Sequence, residues 1–170
     1  MNAHRCAAGE ERKLTRRRAD VRSAEPRIRL MVTSLSSKLG MKEERRSGLI
    51  GAPSEIVETL SAGAVRLSKS LTGSFDHIHA FFKSQEKLKS RFPRLKKHLR
   101  KGGALWISWP KAKKLETDLN LKVIIAIGYR HGLVESKTIG VDSNWSAIKF
   151  TFPKKGKVYN NSYGRLPEAN

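Results

Sequence analysis

Four groups of residues in this chain have the types and spacing to do chemistry. Gly51-Ala52-Pro53, Trp109-Pro110-Lys111 and Thr117-Asp118 form the first, each at a point where an apolar run ends or a helix begins. In open α/β sheets such strand ends are where ligands bind. Brought together, these residues would offer an aromatic wall from Trp109, a cation from Lys111 and helix-end amides at Thr117 and Asp118. That is a pocket for an anionic or ring-bearing ligand. The same residues have a purely structural reading, in which Trp109 closes one end of the core and Pro110 stops the strand.

The second group is a basic run. Between Lys83 and Lys101 lie Lys87, Lys89, Arg91, Arg94, Lys96, Lys97 and Arg100, against Glu86 alone. With Lys87, Arg91, Arg94, Lys97 and Lys101 on one face it could track phosphates, with an affinity falling steeply in salt. No recognition motif or evident stacking aromatic accompanies it, and a solvated helix face is the plainer reading. The third group, His77 and His79, shares one face of a strand, a spacing seen in some metal sites. No carboxylate or cysteine joins them, so no metal is expected, and their apolar surroundings read as core. The last group, Cys6 and Ser108, lacks a histidine partner in sequence or a nucleophile-elbow context, so no catalytic residue is assigned.

The formal net charge of +20 accounts for solubility and for non-specific attraction to anionic surfaces, and identifies no specific partner. A single cysteine rules out an intrachain disulfide framework and suits a reducing cytoplasm. No apolar run approaches the roughly 20 residues of a membrane helix, so no membrane partner is expected. Arg16-Arg17-Arg18 has no apolar segment behind it, so it is no secretory signal, and the acids nearby argue against a transit peptide. Residues 1–34 are basic, polar and aperiodic, the pattern of a disordered segment. Met31 opens a sequence that reads as a natural start, and the intact mass of the natural protein would show whether translation begins there or at Met1.

Globular patterning runs from 35 to 153, and a basic tail from 154 to 170 is expected to be disordered. A short strand, 47–50, meets Pro53, which suits the first turn of a helix running through Leu60. A second short strand is expected at 64–67, then a buried strand at 75–82. A helix from Ser84 to about Arg100 carries Leu88, Phe92, Leu95 and Leu99 at helical spacing, with Pro93 expected to kink or divide it. Gly102-Gly103 should stop that helix. A strand at 104–109 follows, with Trp106 and Trp109 on opposite faces. Thr117 should cap the next helix, with Asp118 at the positive end of its dipole. Strands 133–141 and 147–152 must be antiparallel, because so short a link allows no parallel crossover.

Leu99-Arg100-Lys101-Gly102-Gly103-Ala104-Leu105-Trp106-Ile107 resembles the paired-glycine turn and following strand of class I S-adenosylmethionine-dependent methyltransferases. Phe75-Asp76 is similar to the opening of their central strand, and residues 117–152 to their closing helix and antiparallel pair. The resemblance implies an α/β fold, a trimmed Rossmann-like three-layer sandwich whose mostly parallel sheet ends in an antiparallel pair. The half that would hold the cofactor departs from the pattern. Ile50-Gly51-Ala52-Pro53 has one glycine where the family has a glycine-rich turn, Leu67-Ser68-Lys69-Ser70 lacks the ribose-gripping acid, and a third strand has no room before Phe75. A second resemblance covers residues 35 to 152. Lys38-Leu39-Gly40, Trp109-Pro110-Lys111, Val141-Asp142 and Trp145-Ser146 resemble a small bacterial family catalogued as a domain of unknown function, which implies the fold and no activity.

The expectation is a cytoplasmic, non-catalytic binding or regulatory module on a degenerate methyltransferase-like fold. It would have no cofactor, and its partner would be an anionic small ligand or non-specific nucleic acid. The alternatives are a methyltransferase holding S-adenosylmethionine through unconventional contacts, and a nucleic-acid binder using helix 83–101.

Overall fold

A computed structural model describes residues 35–62, 65–111 and 115–167. The start at Met31, the disorder of residues 1–34, and Cys6 lie outside the described residues. After a helical segment at 35–39 the elements run β1 (Ser47–Ile50), α1 (Ser54–Ser61), β2 (Leu67–Ser68), β3 (Phe75–Phe81), α2 (Gln85–His98), β4 (Leu99–Pro110), α3 (Leu121–Arg130), β5 (Val134–Gly140) and β6 (Trp145–Thr151). The six strands form one sheet in the order β2-β1-β3-β4-β6-β5. The first four are parallel to one another, while β6 runs antiparallel to both β4 and β5. This is the trimmed Rossmann-like sandwich expected, with no strand beyond β2 among the described residues.

Strand alternation divides the core into two faces. Ile78 and Ala80 of β3, Leu105, Ile107 and Trp109 of β4, and Ile148 and Phe150 of β6 meet α2 and α3 on one side. On the other, Leu49, Phe81, Trp106, Trp145 and Ala147 are covered by Ile56 and Leu60 of α1 and by Leu35, Leu39 and Met41. Trp106 and Trp109 therefore do point to opposite sides. Trp106 is almost fully buried and donates its indole N–H to the Leu39 carbonyl at 3.0 Å, so its polar handle is satisfied while its ring fills the core.

Several boundaries move, each for a physical reason. Helix α2 ends at His98 rather than near Arg100, because Leu99 takes an extended conformation (φ −85°, ψ 125°), pairs with Phe75 and is buried. The paired glycines then serve a bulge instead of a helix stop. Between the Phe75–Leu99 and His77–Ala104 pairings β4 advances further than β3. Gly102 sits at φ +83°, and a Cβ on Gly103 would lie 2.9 Å from the carbonyls of Arg100 and Asp76, so neither position admits another residue without strain. Pro93 lies on the exposed side of α2 and does not divide it. The second strand is only Leu67–Ser68. Asp142 accepts hydrogen bonds from the backbone N–H of Asn144 and Trp145, both at 2.7 Å, which tightens the β5–β6 turn.

The tail expected to be disordered packs back onto the fold over residues 159–166. Tyr159 and Leu166 lie against the first core face, Asn161 pairs with Gly164, and the Asn161 side-chain amide donates to Glu135.

Helix and sheet approach closely at Gly128 of α3, where an added Cβ would lie 2.2 Å from the ring of the fully buried Phe150. Gly128→Ala is expected to destabilise the fold by about 1–3 kcal/mol through overpacking, despite alanine's better helix propensity. Urea unfolding measures this, and the double variant with Phe150→Leu should recover part of the loss.

Candidate functional site

The carboxyl ends of β1 and β3 open into two adjoining grooves. One, of about 600 Å³, has Ile50, Leu71 and Leu95 among its apolar lining and Lys69, Lys87, Arg91 and Arg94 as its charges. The other, of about 510 Å³, is bounded by Ala52, Pro53, Leu115, Asn144 and Trp145, with Glu55 and Lys83 at its rim. Gly51, Phe81, Phe82 and Lys87 belong to both. A larger concavity of about 760 Å³ lies at the opposite, amino end of β1, with Glu43, Glu44, Arg45, Arg46 and Arg66 on its walls. Its charges are mixed, and Arg46 is already engaged there, donating to the Thr72 carbonyl at 2.6 Å and lying over the Phe75 ring. The carboxyl-end grooves are therefore the better candidate, as expected for open α/β sheets.

Helix α2 places the cations. Leu88, Phe92 and Leu95 are buried at helical spacing, and Lys87, Arg91 and Arg94 repeat that spacing one residue earlier. One residue is about 100° around a helix, so burying the first stripe sets the second along the groove. Lys69 approaches from the other side, just beyond β2. All four cations are exposed, and among the described residues none of their side chains has a hydrogen-bonding or ion-pair partner; the ion pair that forms is Arg100–Asp76 at 3.1 Å. The larger of the two grooves has no acid in its lining.

The first sequence candidates separate. Gly51 and Pro53 line the grooves, with Gly51 at φ +65°. Trp109 is in the core, as its structural reading had it. Lys111 donates to the Asp142 carbonyl at 2.5 Å and so holds the β5–β6 turn. Thr117 and Asp118 do not cap α3, which starts at Leu121 with the Asn120 side chain accepting from the Val123 N–H at 3.1 Å. They clamp the start of α2 instead. Thr117 Oγ1 donates to the Lys83 carbonyl at 2.7 Å, and Asp118 Oδ1 accepts from the Gln85 N–H at 2.8 Å. Gly51 thus shares its grooves with Lys87, Arg91 and Arg94, while Thr117 and Asp118 line a further concavity of about 510 Å³ with Lys83, Ser84 and Glu116. Lys97 and Lys101 are exposed and lie outside the lining of both grooves. Lys69 is not among the sequence candidates. The signal was its place immediately after β2, beside the end of β1 in a parallel sheet.

S-adenosylmethionine, which the fold family implies, does not fit this lining. Its sulfonium and ammonium outweigh its one carboxylate, leaving a net cation that four unpaired cations would repel, and no carboxylate follows β2 in the lining to bind ribose hydroxyls. The turn after β1 holds one glycine, and Pro53 removes an amide donor.

A second polar cluster is buried. His79 Nε2 and Ser108 Oγ are 2.7 Å apart, both fully buried, and His77 lies on the same side of β3. A serine hydrogen-bonded to a histidine has the geometry of a nucleophile and its base. Here Phe81, at 4.5 Å from the His79 ring, and Trp106 enclose it, so no substrate reaches it. His79 is satisfied at one nitrogen only; its Nδ1 and His77 Nε2 have no protein partner. Burial, reinforced by Lys149 and Arg45, pushes the His77 imidazole down to about 3, and burial with the neighbouring His77 pushes His79 well below its ordinary value. Among the described residues no group of three histidine, cysteine or acidic side chains could hold a metal. Among the same residues no helix is long and apolar enough to cross a membrane.

Three solved structures are similar in fold to this chain. A methyltransferase from Pyrococcus furiosus is 16% identical, with a TM-score of 0.46 over 69% of this chain and 79% of that one. A ribosomal protein L11 methylase from Lactobacillus delbrueckii subsp. bulgaricus is 14% identical, with a TM-score of 0.47 over 75% and 79%. A phosphoethanolamine N-methyltransferase 2 from Haemonchus contortus, in complex with S-adenosylmethionine, is 14% identical, with a TM-score of 0.44 over 81% of this chain and 40% of that one. No family model and no curated protein matches the chain.

The two histidines make stability depend on pH. Their folded values lie below the ordinary value of 6.5, so the unfolded chain binds more protons in acid. Their contribution is complete above about pH 6.5 and is lost progressively as pH falls below that towards their depressed folded values. Thermal unfolding from pH 7 to 4 should show this decline, and His77→Phe should flatten it. An unchanged slope in that variant would mean that His77 is not buried neutral.

Proposed function

We propose that this chain is a non-catalytic binding module that takes an anionic ligand with an apolar part in the groove between the end of β1 and α2. One observation carries the reading. Four unpaired cations, Lys69, Lys87, Arg91 and Arg94, border an apolar-lined groove that contains no acid. Charge alone would serve any anion, and the apolar lining of Ile50, Leu71 and Leu95 adds a preference for one with a ring or hydrocarbon. Among the described residues no nucleophile with an accessible base opens into the groove, because the histidine–serine pair is enclosed in the core. In this reading the sheet is retained from a cofactor-binding fold whose ligand groups have been replaced by cations.

The tryptophan-proline-lysine and tryptophan-serine signatures support membership of the small bacterial family that the sequence resembles. Single-cysteine usage supports a cytoplasmic setting.

Thermal unfolding of the full chain separates this reading from a methyltransferase. S-adenosylmethionine and its demethylated product at millimolar concentration should leave the transition unmoved. Naphthalene-2-sulfonate, an anion with a ring, should raise it. At a hundredfold excess over its dissociation constant the gain is about 2.7 kcal/mol, a shift of several degrees. Arg91→Glu should abolish the rise. A shift with S-adenosylmethionine and none with the sulfonate would put the methyltransferase first.

A further inference from the structure

We infer that the ligand is a phosphate chain bearing a ring, of the nucleoside di- or triphosphate class, with its phosphates laid along α2. This rests on the reading that the groove takes an anion, and goes further by naming the charge pattern. Lys87, Arg91 and Arg94 stand at i, i+4 and i+7, so they follow one another along the helix at intervals of about 6 and about 4.5 Å. Lys69 faces them from the β2 side. A single carboxylate or sulfonate would neutralise one or two of these four cations and leave the others facing each other. A chain of phosphates presents negative charge along a line and engages all four. The two arginines suit it best, because a guanidinium offers paired donors to one phosphate group.

The groove continues past Gly51 into the bay of Ala52, Pro53, Leu115 and Trp145, whose charges are Lys83, Lys87 and the acid Glu55. The trough sets four cations against no acid, whereas in the bay Glu55 offsets part of the charge of Lys83 and Lys87 and apolar residues outnumber charged ones; that gradient matches a ligand with phosphates at one end and a ring at the other. A single-stranded nucleic acid would need exposed rings for its bases to stack on. The groove's aromatic residues, Phe81, Phe82 and Trp145, are 6%, 9% and 5% exposed, so their faces are committed to the core. Lys97 and Lys101, which a strand following the helix would meet next, stand outside both grooves.

The test uses the full chain at low salt and follows binding calorimetrically with inorganic tripolyphosphate, adenosine triphosphate, naphthalene-2-sulfonate and a single-stranded oligonucleotide. Tripolyphosphate and adenosine triphosphate should bind and displace the sulfonate. Arg91→Glu and Arg94→Glu should each weaken them by about tenfold to a hundredfold, and Lys97→Glu and Lys101→Glu by less than about threefold. Unfolding curves matching the parent would show that each variant is folded, and Arg91→Gln supplies a milder change if the reversal is not tolerated. Sulfonate binding that depends on Arg91 but is untouched by tripolyphosphate would overturn the phosphate chain and leave the anion groove standing. Binding of neither probe would overturn both. Oligonucleotide binding that loses as much at Lys97 and Lys101 as at Arg91, and falls linearly with salt on logarithmic axes, would replace the groove by the whole helix face.

Discussion

Burial of one stripe on α2 is the constraint from which most of this structure follows. Leu88, Phe92 and Leu95 enter the core between α2 and the sheet, and Leu99 continues the stripe one turn later by its spacing. Burying large apolar side chains is worth about 1.5–3 kcal/mol each, so the helix has little freedom to rotate. Three consequences result. Leu99 stays buried by leaving the helix and pairing with Phe75, which sets where α2 ends. The chain then needs the bulge at Gly102 and Gly103 to rejoin the ladder at Ala104. And the neighbouring stripe, Lys87, Arg91 and Arg94, is fixed along the mouth of the groove.

The two faces of the sheet are built differently. The α2–α3 face holds long aromatic and aliphatic side chains, among them Phe75, Phe92 and Phe150, with Phe92 and Phe150 meeting edge to face. The other face is covered by the eight-residue α1 and by residues 35–41, and it carries the polar cost of His77, His79 and Ser108. The Trp106–Leu39 hydrogen bond fastens that cover to β4. A buried imidazole is tolerable only in its neutral form, so this face is the one that acid should loosen first.

A conflict between fold and charge defines the candidate site. The topology brings the ends of β1 and β3 together where such sheets bind ligands, yet among the described residues the groups that suit a nucleoside sulfonium are depleted. The glycine-rich turn is reduced to Gly51, the acid after β2 is replaced by Lys69, and α2 contributes cations. The departures were legible in the sequence one at a time. That Lys69 and Arg91 border the same groove was not, since they lie far apart in the chain and only the parallel pairing of β1 with β2 and β3 brings them together. Thr117 and Asp118 show the opposite error. A threonine and an aspartate before an apolar run read locally as a cap for the following helix, while their actual partners, Lys83 and Gln85, come from the preceding one.

The sequence by itself determined what depends on spacing and chain length. It placed Trp106 and Trp109 on opposite faces, because a strand alternates. It placed the apolar stripe of α2, because a helix repeats every 3.6 residues. It required the antiparallel β5–β6 pair, because the Asp142 turn is too short to cross the sheet. Tertiary structure alone decided what depends on partners distant in the chain. It chose bulge over helix stop at Gly102-Gly103, because Leu99 gains more from the core and from Phe75 than from another helical turn. It folded residues 159–166 back, because Tyr159 and Leu166 find apolar surface and Asn161 finds Glu135. It left Lys87, Arg91 and Arg94 without acids, because the nearest carboxylate on their own helix, Glu86, precedes them outside the groove lining.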